Sequence, residues 1–248
     1  MLTELVWRDL KIQYKRSVLG ILWSLVFPLV QLMVFVFVFR TLLKLGVPGR
    51  APYASFVFVG VLVWNWFQSS VQQATTAVTA SPELIRRPGF PALILPVVTV
   101  TKNLIHFLLA LPILLGFLLV SGIPFASVLL LLPAVVLVQY LLTLSLSYFV
   151  AALNVLFRDT QHIVGVTLLV AFYATPIFYS PKQVPEEFRN LYYLNPMVHV
   201  IDAYRAILLD GQMPDWLGLS AVGIAACLLV VAGYSLFRRM SDRFLDEL

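Results

Sequence analysis

Apolar runs recur along the chain near residues 19–42, 54–78, 93–120, 127–153, 161–180 and 215–237. A helix rises 1.5 Å per residue, so about 20 residues cross the ~30 Å hydrocarbon core of a bilayer. The pattern predicts an all-α integral membrane protein with six transmembrane helices and both chain ends on one side. Short polar connections separate most of the runs, but 180–214 is neither apolar enough to span nor polar enough to be a flexible linker. Pro185-Glu186-Glu187 puts a proline and two acids at a helix start, and Asn195-Pro196 puts an N-cap before a proline at the first helical position. Two short helices are expected there. The second, Met197 to Leu209, is about 20 Å long, too short to cross and suited to entering the outer leaflet and returning.

Ahead of the first run, Glu4, Arg8, Lys11 and Lys15 fall on one helical face of residues 2–16, with Leu2, Leu5, Val6 and Leu10 opposite. That pattern predicts an interfacial amphipathic helix. After the second run comes Ser81-Pro82-Glu83-Leu84-Ile85-Arg86-Arg87-Pro88-Gly89. Pro82 and Glu83 can start a helix that Pro88-Gly89 stops, a stiff surface knob of about two turns. The domain reading is one membrane unit: 1–17 interfacial helix, 19–237 six-span body, 238–248 polar tail. With no small-x-small cleavage site after the charged start, Met1 to Leu248 reads as mature protein.

Composition agrees: of 248 residues 60% are hydrophobic and 12% charged, where soluble domains carry about 25% charge. The net charge of +5 sets orientation rather than a nucleic-acid surface. Arg8, Lys11, Lys15, Arg16, Arg86, Arg87, Arg158, Arg238, Arg239 and Arg243 lie on one side of a six-span topology, against Lys44, Arg50, Lys182, Arg189 and Arg205 on the other. The richer side is cytoplasmic by the positive-inside rule. The single cysteine, Cys227, excludes a disulfide framework within one chain.

No His-x-x-Glu-His or Glu-x-x-His constellation and no Gly-x-x-x-x-Gly-Lys-Ser/Thr phosphate loop occurs. Neither a catalytic site, a metal site nor a nucleotide site is therefore expected in this chain. Polar residues within spans carry the functional signal, because each needs a partner or water inside a bilayer. Asn65, Gln68, Ser69, Gln72, Thr76 and Thr79 recur every three or four residues in the second run. They fit either the wall of a hydrated pathway or hydrogen bonding within a packed bundle. Lys102 and His106, four apart with Asn103 between, fit a proton or substrate relay or a lysine reaching for the interface. Aromatics crowd the outer ends of spans, among them Phe35 and Phe39 on the first and Phe172, Tyr173 and Tyr179 on the fifth. An interface belt explains such rings; inward-facing ones would pack on the C–H face of a sugar. His199, Asp202 and Arg205, at i, i+3 spacing, read as a salt-linked helix face.

In order along the chain, Arg8-Asp9-Leu10-Lys11, Tyr14-Lys15-Arg16-Ser17-Val18-Leu19-Gly20, Leu22-Trp23 and Pro28 are followed by Asn154-Val155-Leu156-Phe157-Arg158-Asp159. Thr175-Pro176-Ile177-Phe178-Tyr179, Tyr193-Leu194-Asn195-Pro196-Met197 and Tyr204-Arg205 complete the series. The series resembles the transmembrane subunits of ABC-2-type exporters for O-antigen, capsular polysaccharide and teichoic acid. The resemblance implies a homodimer in the bacterial inner membrane, two permease chains with two cytoplasmic ATPase chains, ATP and magnesium being held by the partner. It further implies an undecaprenyl-linked glycan passing through a channel between protomers. Arg8, Lys11 and Lys15 of the interfacial helix and the Glu83, Leu84, Ile85, Arg86 and Arg87 coupling helix would meet the ATPase. Asn65, Gln68, Ser69, Gln72, Phe35, Phe39, Phe172, Tyr173 and Tyr179 are channel-lining candidates. Glu186, Arg189, Tyr193, His199, Asp202 and Arg205 would belong to paired periplasmic re-entrant helices. Competing readings are an ABC-2 exporter of drugs or lipids, a membrane-embedded lipid-linked sugar enzyme, and a proton-driven carrier around Lys102 and His106.

Overall fold

A computed structural model describes residues 1–13, 15, 17, 20–42, 52–180, 183–241 and 244. Among them there is no strand. Ten α-helices follow in order: α1 Leu2–Gln13, α2 Trp23–Phe35, α3 Tyr53–Thr76, α4 Pro82–Ile85, α5 Ile94–Val120, α6 Leu132–Leu156, α7 Thr160–Ala174, α8 Glu186–Tyr193, α9 Pro196–Leu208 and α10 Trp216–Ser241. Tyr14, Arg16, Val18, Leu19, Lys44, Arg50, Lys182 and Arg243 lie outside the described residues, as do the side chains of Phe35 and Phe39.

Among the described residues, four helices are long and apolar enough to cross a bilayer: α3, α5, α6 with the 3-10 turn Ser127–Leu131 ahead of it, and α10. The other two expected spans are shorter. The first is α2, carried on by π-helical turns over Val36–Leu42. The last, α7, has 15 residues, about 22 Å of rise, and ends six residues before the apolar run does. Pro176 explains the early stop: the residue before a proline is pushed out of the helical region, and Thr175 has ψ 144°.

The helices surround α3. Of its most apolar stretch 83% is buried, against 22–33% in α5, α6 and α10. The exposed sides of those three are apolar, with Leu108, Leu119, Leu137, Leu228 and Val231 facing outward, as lipid-facing surfaces are. Hydroxyls inside the bundle are absorbed locally, since Ser70, Thr99, Thr143 and Ser147 each donate to the carbonyl four residues earlier. Gln139 of α6 instead reaches across to donate to the Val63 carbonyl of α3 at 2.9 Å, tying two helices together.

At one end of the bundle α1 lies against α5, its Val6 and Leu10 packed on Val98 while Arg8 and Lys11 stay on the more open side. Next to it sits α4, a single turn where the sequence pattern led to about two. Pro88 shortens it by the same rule that stops α7, forcing Arg87 out of the helix, and Gly89 then takes φ +77°. Leu84 and Ile85 anchor this turn in an apolar cluster with Val78, Val155 and Phe237, leaving Glu83, Arg86 and Arg87 on the surface.

At the opposite end α8 is exposed, whereas α9 is sunk into the bundle against α3, α6 and α10. The Asn195 side chain caps α9, accepting from the Met197 backbone N–H at 3.0 Å, with Pro196 at the first helical position.

Candidate functional site

The polar row of α3 opens onto a cavity. Asn65, Gln68, Ser69 and Gln72 line a space of about 600 Å³ between α2, α3 and α5, together with Ser24 and Pro28 of α2 and Asn103 and His106 of α5. Helical spacing of three and four residues puts the four α3 side chains on one stripe, and α2 lies beside that stripe without filling it. Part of the row's hydrogen-bonding capacity goes to neighbours. Asn65 donates to Gln31 at 3.0 Å, Gln68 accepts from the Trp64 indole at 2.7 Å, and Gln72 donates to the Gln161 carbonyl of α7 at 3.3 Å. A carboxamide has two donors and two acceptor sites, so these bonds use only part of each group. The rest faces the cavity, where water or a hydroxyl-bearing solute can be bound without a net charge. Thr76 and Thr79 turn back on their own helix backbone instead.

His106, read from the sequence only as part of a pair with Lys102, meets Ser24 Oγ across the cavity at 2.8 Å. Asn103 donates to Gln73 at 3.4 Å and to the Thr99 carbonyl at 3.1 Å. Lys102 is half-buried on the same helix and does not line the cavity. The far wall is aromatic: Trp66 stacks on Phe107 at 5.0 Å, and Phe107 meets Tyr204 of α9 edge-on at 5.9 Å.

The remaining aromatic candidates gather at the end of α7. Phe172 packs against Trp64, Tyr173 and Phe178 at 5.2–6.0 Å, and Tyr173 is largely exposed. The Tyr179 hydroxyl donates to the Ala174 carbonyl at 2.9 Å, closing the turn after α7, and its ring lies 6.4 Å from Tyr192 of α8. Burial pushes the Tyr192 phenol up.

Sequence reasoning named Arg205 but read it as part of an ion-paired helix face; among the described residues it is instead a heavily bonded buried side chain. Arg205 of α9 is buried, at 4% exposure, and its guanidinium donates to three backbone carbonyls. They are Pro176 at 2.5 Å, Ile177 at 3.0 Å and Phe56 at 3.2 Å, and the Phe56 ring lies 3.4 Å from Cζ. Gly60 makes the room, because a Cβ there would stand 2.9 Å from the guanidinium. Arg205 thus joins α9, α3 and the chain after α7. Asp202 is 4.0 Å away, while His199 leaves the expected ion-paired face and bonds the Tyr193 carbonyl at 2.9 Å. Asn195 adds a second tie, donating to Thr175 Oγ1 at 2.9 Å. Glu186 and Arg189 remain on exposed α8, 3.7 Å apart.

An apolar helical body whose central helix turns carboxamides toward a cavity is the membrane domain of a transport protein. The comparisons with known proteins say of which kind. The sequence profile of the ABC-2 type transporter family matches residues 2–209, and the chain belongs to that family. It is 35% identical over 254 residues to the O-antigen export system permease protein RfbA of Myxococcus xanthus, a match covering all of this chain and 95% of that one. A protein of the same description from Klebsiella pneumoniae is 31% identical, over 97% of this chain and 92% of its own. The polysialic acid transport protein KpsM of Escherichia coli is 20% identical over 97% and 93%.

Proposed function

We propose that this chain is the permease subunit of an ATP-driven exporter that moves a lipid-linked, O-antigen-like polysaccharide out across the bacterial inner membrane. Two permease chains would work with two cytoplasmic ATPase chains, both permease termini lying in the cytoplasm. Full-length similarity to permeases of O-antigen export supports the cargo class. The observation that carries the mechanism is the carboxamide-lined cavity, because a glycan needs uncharged hydroxyl partners that let go as readily as they bind. In the homodimer this wall would line half of the path, with Phe172, Tyr173 and Tyr179 at its outward end offering ring faces to pyranose C–H surfaces. ATP binding in the partner would push on the short α4 turn, through Glu83, Arg86 and Arg87, on α1, through Arg8 and Lys11, and on Lys15, which lies just past the end of α1 at Gln13 rather than in the helix expected over 2–16. Leu84 and Ile85 are buried and would transmit that push into α5, α6 and α10.

The test is export in cells deleted for their own permease and supplied with the cognate ATPase. The triple substitution Gln68→Leu, Ser69→Leu, Gln72→Leu keeps the helix apolar and is expected to abolish surface glycan while the chain still assembles with its ATPase. Normal surface glycan in that variant would overturn the role of this wall.

A further inference from the structure

A second groove lies at the end of α10, away from the carboxamide cavity. It encloses about 960 Å³ between residues 85–93 and the last two turns of α10. Its walls carry Arg86, Arg87, Arg238 and Arg239, with Tyr234, Ser235 and Ser241 between them, and no described carboxylate lines it. All four arginines are exposed, and neither Arg87, Arg238 nor Arg239 makes an ion pair among the described residues. Arg87, Arg238 and Arg239 face one space, and an anion among them relieves their mutual repulsion.

The groove also continues into the bilayer surface. One to three turns before Arg238, the same helix exposes Leu228, Val231 and Tyr234. Over its 26 residues α10 runs from an apolar body to a basic end, so the arginines stand at headgroup level with an apolar, lipid-facing flank beneath them. Phe90 and Leu93 give the opposite wall an apolar component. A protein segment docking from water would need only the basic part of this surface. A molecule with a phosphate head and acyl tails uses both parts.

We propose that this groove is a binding site for an anionic phospholipid of the surrounding bilayer. The phosphate is held by Arg87, Arg238 and Arg239, the Tyr234 hydroxyl donates to the headgroup, and the acyl chains lie along Leu228 and Val231. The volume suits one headgroup, being within the range of small-ligand sites, and basic pockets beside transmembrane helices are a recurring form of lipid recognition. The bound lipid would fix the 85–93 segment against α10, and so set the position of the α4 turn. The site requires that α10 span the membrane and does not depend on the cargo; it shares Arg87 with the surface proposed to meet the ATPase.

The full-length chain, purified in detergent without the ATPase, is titrated with dioleoyl phosphatidylglycerol or dioleoyl phosphatidylcholine, and native mass spectrometry counts retained lipid. Phosphatidylglycerol should be retained in preference to phosphatidylcholine. Arg238→Gln with Arg239→Gln should weaken retention roughly thirtyfold, as expected for two arginines near a lipid surface. The Arg→Lys pair should keep most of it, and Arg158→Gln, which lies outside the groove, should leave it unchanged. Should the glutamine pair fail to fold, Arg87→Gln on the opposite wall provides the same reading. Equal retention of the two lipids, or undiminished phosphatidylglycerol retention in the glutamine variants, overturns the proposal. So does full displacement by inorganic phosphate, which would mark a small-anion site. If the glutamine pair keeps its lipid but no longer co-purifies with the ATPase, the groove is a protein-docking surface and the lipid assignment fails.

Discussion

Arginine serves opposite purposes at the two ends of this bundle. Beside α4 and the end of α10, Arg86, Arg87, Arg238 and Arg239 stand on the surface and leave helix packing to Leu84, Ile85 and Phe237. In α9, Arg205 is buried and packing converges on it: three carbonyls, one aromatic face and a glycine cut away to admit it. The exposed set determines what approaches the protein, through charges that solvent screens. The buried one determines what the protein is, because its donors satisfy the Pro176 and Ile177 carbonyls that the break after α7 would otherwise leave exposed to a low-dielectric interior, and add a second bond to the Phe56 carbonyl of α3.

Breaking that contrast should be most costly at Arg205. Arg205→Met keeps the side-chain length but strands the carbonyls of Pro176 and Ile177 and takes the second donor from Phe56, and is expected to destabilise the chain by about 3–5 kcal/mol. Thermal unfolding in detergent measures it, with Arg205→Lys recovering only part because an ammonium lacks the planar fork. A melting midpoint within error of wild type would show that the guanidinium is not structural. Gly60→Ala attacks the same junction from the other side. Its methyl would meet the guanidinium, so a loss of about 1–3 kcal/mol is expected by overpacking, read by the same melting curve. Least disturbed should be the fold of Arg86→Glu with Arg87→Glu, within about 0.5 kcal/mol of wild type. Transport-linked ATPase activity of the assembled complex should nevertheless fall, and full activity with normal export would remove α4 from the coupling role.

What could be read from the sequence divides along the same line. The α9 start was legible because Asn195 and Pro196 act on their own backbone, and local chemistry does not need the rest of the fold. The polar stripe of α3 was legible as a stripe, since period alone puts Asn65, Gln68, Ser69 and Gln72 on one face. Its cavity was not, because the opening depends on where α2 and α5 pass. Two lengths were overestimated for a shared reason: the apolar or charged run continued, but Pro88 and Pro176 withdrew the preceding residue from the helix. The role of Arg205, named from the sequence only as part of an ion-paired face, was the larger gap. Its acceptors are 28, 29 and 149 residues away, and backbone carbonyls leave no mark in a sequence. A sign beside the Tyr204-Arg205 pair itself was Gly60, an isolated glycine inside a helical pattern, for which a packing reason is usual.

The Arg205 junction has a further consequence for how the chain is made. Phe56, Pro176 and Ile177 all precede Arg205, so a ribosome delivers every acceptor before the donor. Until α9 emerges, the turn after α7 waits with its Pro176 and Ile177 carbonyls open, and the cation must itself be carried to that end of the bundle before it can close the joint. Closure of this end of the bundle therefore waits on one residue, with only α10 still to be added after it, and nascent chains halted before Arg205 should be the form that quality-control proteases recognise.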